Sequence, residues 1–131
     1  MRYWRFLPLL AVTAILLYAG LRPDPVPQVF DQQDKLHHLL GFAALAFSMR
    51  LALPRWSVGW IFSLCLATAL LIELAQGYQP HRFASLEDMV ANLLGVGTGI
   101  VSSVAWRGIC RRWARHQHPI TAVQIAVKGR A

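Results

Sequence analysis

An all-α integral membrane protein, an antiparallel bundle of four transmembrane helices, is the fold class this sequence predicts, and three observations predict it. Charged residues make up only 15% of the 131 residues and hydrophobic ones 56%, whereas a soluble domain carries about 25% charge. The apolar residues come in long blocks instead of recurring at the periodicity of a soluble core. The basic residues then fall unevenly between the two ends of the bundle that those blocks would build.

The first block runs from Phe6 to Leu21, behind Arg2 and Arg5. A charged start and an apolar run of this length also fit a secretory signal peptide. No small-x-small cleavage site precedes the proline-rich stretch and further blocks follow, so a retained helix is expected. Pro23, Pro25 and Pro27 make the next connection extended. The second block, Leu36 to Leu53, is interrupted by His37, His38 and Arg50. Arg50 sits near one end, where a long side chain can snorkel to water.

Pro54, Arg55 and Trp56 form a tight turn into the third block, Ser57 to Ala75, which is free of charge until Glu73. Trp56 and Trp60 suit a membrane interface. A polar stretch from Gly77 to Arg82 leads to the fourth block, Phe83 to Trp106. Residues 1–106 are thus read as the transmembrane domain and 107–131 as a basic tail, disordered or lying on the surface. Within the tail, Ile120 to Val127 is mildly apolar but too short to span. Short connections make successive helices antiparallel.

Alternating directions place ten of the 13 basic residues on the side of the termini: Arg2, Arg5, Arg50, Arg55 and the six of the tail. Arg22, Lys35 and Arg82 fall on the other. Basic residues stay cytoplasmic, so both termini are expected inside. The net charge of +7 is then an anchoring feature, and no nucleic-acid partner is expected. Cys65 and Cys110 fall at different depths, so no disulfide is expected. They also lack a Cys-x-x-Cys metal spacing.

All six acids collect at the outer end. Asp34, Lys35 and His38 open the second helix, with Asp34 and His38 one turn apart on one face. Glu73 and Gln76 close the third helix, and Arg82 lies in the loop that follows. Ser85, Asp88, Asn92, Gly95, Gly99 and Ser102 run down the fourth as a small and polar stripe, which belongs against other helices and not against lipid. Gly95 and Gly99 form a G-x-x-x-G that permits close packing. The bland account of this cluster is a set of bonds that locks the bundle's register. A polar pocket open to the outer leaflet accounts better for so many different groups.

These pieces, Asp34-Lys35-x-x-His38, Glu73-x-x-Gln76 and Arg82-x-x-Ser85-x-x-Asp88-x-x-x-Asn92-x-x-Gly95, resemble the VanZ-like family of small bacterial membrane proteins. The similarity covers roughly Asp34 to Gly99. Spacing matches His38 to the motif and leaves His37 as an interfacial neighbour. The resemblance implies a multi-pass protein of the bacterial cytoplasmic membrane. Its founding member is associated with resistance to the glycopeptide teicoplanin, by a mechanism the motif does not supply.

Three classes of function are open. A binding protein would use Lys35 and Arg82 on a phosphate or carboxylate headgroup. Asp34, His38, Glu73, Gln76, Ser85, Asp88 and Asn92 would complete its pocket, and a membrane lipid or lipid-linked envelope precursor would be its partner. A membrane-embedded hydrolase or transferase would use His38 as base with Asp34 or Asp88 behind it. Its only conceivable nucleophile, Ser85, reads more simply as a helix cap. A metal variant with His38, Glu73 and Asp88 lacks a compact ligand spacing, so no metal and no cofactor are expected. A small transporter or assembly subunit is the third class, with the glycine stripe as a homodimer contact, although charges at one face make a poor conduction path. The binding protein is the expectation.

Overall fold

The computed structural model describes residues 3–22, 27, 29–79 and 85–117. They form a helical bundle: a short 3₁₀ turn, Tyr3–Phe6, leads into α1 (Leu7–Leu21), followed by α2 (Gln33–Ala52), α3 (Val58–Gly77) and α4 (Leu86–Gln117). No strand occurs among the described residues. Three helical stretches, Tyr3–Leu21, Val58–Gly77 and Leu86–His116, are long and apolar enough to cross a membrane.

α2 is the exception, and its position explains why. It packs against α1, α3 and α4, most extensively against α4. Phe42, Leu45, Ala46, Ser48, Met49, Arg50 and Ala52 are all buried on it. A helix surrounded by protein has no need of a uniformly apolar surface, so α2 can carry Asp34, Lys35, two histidines and Arg50. The outer helices show the opposite pattern. Leu10 and Ile15 on α1, Leu71 and Leu74 on α3, and Leu94 and Val101 on α4 are all exposed, as lipid-facing side chains are.

The helix ends follow local chemistry. Pro54 cannot continue α2, and Leu53 closes that helix with its N–H on the Met49 carbonyl at 2.8 Å. Ser57 caps α3 by accepting from the Trp60 N–H at 3.3 Å. At the entry to α2, Gln32 takes a left-handed φ of 68°, and the Gln33 side chain steadies the turn by accepting from the Val29 N–H at 2.7 Å.

Between apolar helices in lipid, close packing replaces the hydrophobic effect as the cohesive term. The α2–α4 contact shows how close. A Cβ added to Gly95 would lie under 3.0 Å from the Leu39 carbonyl oxygen, and one added to Gly99 equally close to that of Ala43. Backbone cannot step aside as a side chain can, so both positions require glycine. The G-x-x-x-G face is therefore filled by α2 of the same chain. Beside it, Phe42, Ala46, Ile61, Cys65, Ala69 and Val96 form the core. Both cysteines are free, Cys65 buried and Cys110 exposed.

Three details differ from the sequence reading. α4 runs beyond Trp106 to Gln117, because its last turns hold good helix formers and basic residues suited to a helix C-terminus. Ser102 is exposed and Ser103 takes the buried position, its hydroxyl donating to the Ile100 carbonyl at 2.6 Å. At 3.6 residues per turn Ser103 lies about 20° around the helix from Asn92, whereas Ser102 lies about 80° away. Arg50 does not snorkel. It is only 8% exposed and donates to the Trp56 carbonyl at 3.0 Å. Pro23, Pro25, Arg82 and the tail from residue 118 lie outside the described residues.

Candidate functional site

The polar residues at the start of α2, the end of α3 and the start of α4 meet at one end of the bundle, around His38. Its side chain is 10% exposed, and its Nδ1 lies 3.0 Å from Asn92 Oδ1. Asn92 Nδ2 faces the Met89 sulfur, which leaves Oδ1 for the imidazole. Nδ1–H therefore donates to Asn92, and Nε2 is the ring nitrogen left facing Asp34. On that side Asp34 Oδ1 is 4.0 Å from Nε2, one turn back on the same face of α2. On the other side Glu73 Oε1 is 3.9 Å from Nδ1. His37, next in the chain, is exposed.

Glu73 is 4% exposed at the end of α3. Its Oε2 accepts from the Ser85 N–H at 3.1 Å, where the positive end of the α4 dipole favours a carboxylate. Its Oε1 has no hydrogen-bond partner among the described residues. Asp88, 8% exposed, is one turn from Asn92 on α4. One ligand atom each of Asp34, His38 and Asp88 lies within 4.8 Å of the others.

The remaining expected residues divide. Ser85 Oγ accepts from the Glu87 and Asp88 N–H groups at 3.2 and 3.4 Å, so it is the N-cap of α4 and its hydroxyl oxygen is occupied. Gln76 lies at the rim of the group but donates its Nε2 to the Gly20 carbonyl at 3.2 Å. With Gln79, which donates to the Leu21 carbonyl at 3.0 Å, it satisfies the open end of α1. Lys35 pairs with Glu87 at 2.8 Å on the surface, an exposed pair of little energetic weight. Arg82 lies outside the described residues. Glu87 was absent from the expected set. It faces Lys35 from another helix, and no spacing within one helix signals such a pair.

Two spaces adjoin the cluster. A cavity of about 60 Å³ opens between α1, α2 and α3, lined by Gly20, Asp34, His37, His38, Ile72 and Gln76 among others. A larger groove of about 550 Å³ lies between α2 and α4, with Gln32, Lys35 and Glu87 at its polar end and Leu36, Leu39, Val90, Ala91 and Leu94 along its wall. Pockets for small organic ligands measure about 300–1,000 Å³, so only the groove has room for one. The smaller cavity admits water or an ion.

A bundle of apolar helices, three of them long enough to span, with a buried carboxylate–imidazole group at one end defines a small membrane protein with a polar cluster. The chain matches the VanZ/LLP1 family over residues 5–107, and it belongs to that family. No curated protein and no solved structure matches it.

Proposed function

We propose that this VanZ/LLP1 protein binds an amphiphile of the cell envelope, a lipid or lipid-linked precursor, with the headgroup at the polar end of the bundle and the chain in the α2–α4 groove. One observation carries the reading: a groove of about 550 Å³ has apolar walls and an ion pair, Lys35 with Glu87, at its mouth. That is the shape and polarity of a lipid and its head. The basic asymmetry of the sequence supports an outward-facing site with both termini inside, in the bacterial cytoplasmic membrane. Changing the exposure of a lipid-linked precursor would alter glycopeptide susceptibility, the trait with which the family's founding member is associated.

The test is native mass spectrometry of the detergent-extracted protein, beside Lys35→Glu and Leu94→Trp. Lys35 is partly exposed and Leu94 exposed where they reach the groove, so neither change disturbs the core. A copurifying amphiphile present in the wild type and depleted in both variants is expected. Its absence from the wild type, or equal retention in all three proteins, sinks the reading.

Membrane-embedded catalysis is the second reading, favoured by the hydrogen bond that orients His38. With Ser85 occupied as a cap, water would have to be the nucleophile. Under this reading Asp88→Asn retains the amphiphile and abolishes turnover.

A further inference from the structure

We propose that Asp34, His38 and Asp88, with Glu73 beside them, bind a single first-row divalent cation of the zinc or manganese class. Three carboxylates surround one imidazole, and Lys35, one of two described basic residues at this end with Arg22, is held by Glu87 on the surface. With Nδ1–H engaged by Asn92, His38 turns its Nε2 toward Asp34. A ring nitrogen turned to carboxylate oxygens calls for a positive centre there, and the gap of 4.0 Å is wider than a direct hydrogen bond through a proton. The bond to Asn92 is also the outer-shell contact that fixes the tautomer and ring angle of a metal-binding histidine.

Glu73 adds a second observation at the same cluster, on the Nδ1 side of the ring. It is 96% buried by its 4% exposure, and Oε1 has no hydrogen-bond partner among the described residues while lying 3.9 Å from the His38 ring. A buried carboxylate oxygen left unbonded costs several kcal/mol, unless a ligand takes it. Bonds to zinc of about 2.0–2.2 Å set ligand atoms roughly 3–3.5 Å apart. The observed group, within 4.8 Å, reaches that spacing by a closing of about 1 Å. One imidazole nitrogen with carboxylate oxygens suits zinc or manganese, whereas magnesium and calcium favour all-oxygen sets. A cation here would give an acceptor-rich site the positive charge that an oxyanion needs.

The experiment uses the full chain, stripped with chelator in detergent and titrated separately with Zn²⁺ and Mn²⁺ by equilibrium dialysis and metal analysis, without added lipid. Expected is one equivalent per chain with a raised thermal midpoint, and binding at least roughly tenfold weaker in His38→Ala and Asp34→Asn. Asp34 is half-exposed, so its variant keeps the fold even if His38→Ala does not. His37→Ala, outside the group, binds as the wild type does. Failure of both metals to bind overturns the proposal, as does binding unchanged in His38→Ala and Asp34→Asn, which would trace to other groups such as His116. Lys35→Glu separates this site from the amphiphile groove, since it leaves the metal ligands in place.

Discussion

The two ends of the bundle treat their buried charges differently. At one end Arg50 donates to the Trp56 carbonyl, and Arg107 donates to the Arg50 carbonyl. These acceptors are backbone atoms, and the Arg50 carbonyl is among the last four of α2, which no helix can satisfy internally. Cations there also complement the helix dipole. At the other end Asp34, Glu73 and Asp88 gather around His38. Carboxylates only accept, and here they stand at the N-terminal ends of α2 and α4, whose free N–H groups and dipoles favour them. The Ser85 N–H that donates to Glu73 is one such group. Charge at the basic end bonds to backbone carbonyls, whereas charge at the acidic end gathers around one imidazole.

The glycines hold both ends in place, so changing them has the largest expected effect. Gly95→Leu or Gly99→Leu forces α2 and α4 apart, because each new side chain meets a backbone carbonyl. A loss of about 3 kcal/mol or more is expected, seen as a fall in folded protein and a lower thermal midpoint. If either variant is as stable as the wild type, the close α2–α4 approach is wrong.

Arg50→Ala tests the basic end. It removes a buried side chain and strands the Trp56 carbonyl, for a loss of about 2 kcal/mol in thermal unfolding, with cation binding unchanged. A loss of binding without a loss of stability would reverse the contrast between the ends.

Ser85→Ala removes the α4 cap, with an expected loss of about 1 kcal/mol, and Ser85→Asp restores it. Cation and amphiphile binding persist in both. Binding that follows the hydroxyl instead of the cap would return Ser85 to the site.

Asp88→Asn gives the smallest change and the sharpest contrast. In chelator-stripped protein it relieves repulsion among buried carboxylates, so the thermal midpoint should rise by the equivalent of about 0.5 kcal/mol. Cation binding should fall in the same variant. A group kept at a cost to stability is one kept for function, so a destabilised Asp88→Asn would make the cluster a register lock after all.

The helices themselves were legible from the chain. Their apolar blocks, the proline after α2 and the Ser85 cap are local signals, as is the one-turn spacing of Asp34 with His38 and of Asp88 with Asn92. Physically, a helix face repeats every 3.6 residues whatever surrounds it, and lipid demands long apolar runs. Composition likewise placed the acids at one end and most of the cations at the other.

What each polar group meets was decided only by the tertiary structure. Gln76 lines the small cavity and also ties down α1 through Gly20, a bond its spacing did not signal. Arg50 looked free to snorkel and is buried on Trp56. Glu87 was unmarked and holds Lys35. Each partner comes from another helix, or from a turn whose path is set by packing. The choice between Ser102 and Ser103 rests on the same cause, the rotation of α4 against α2, which the fit of Gly95 and Gly99 to one particular backbone determines.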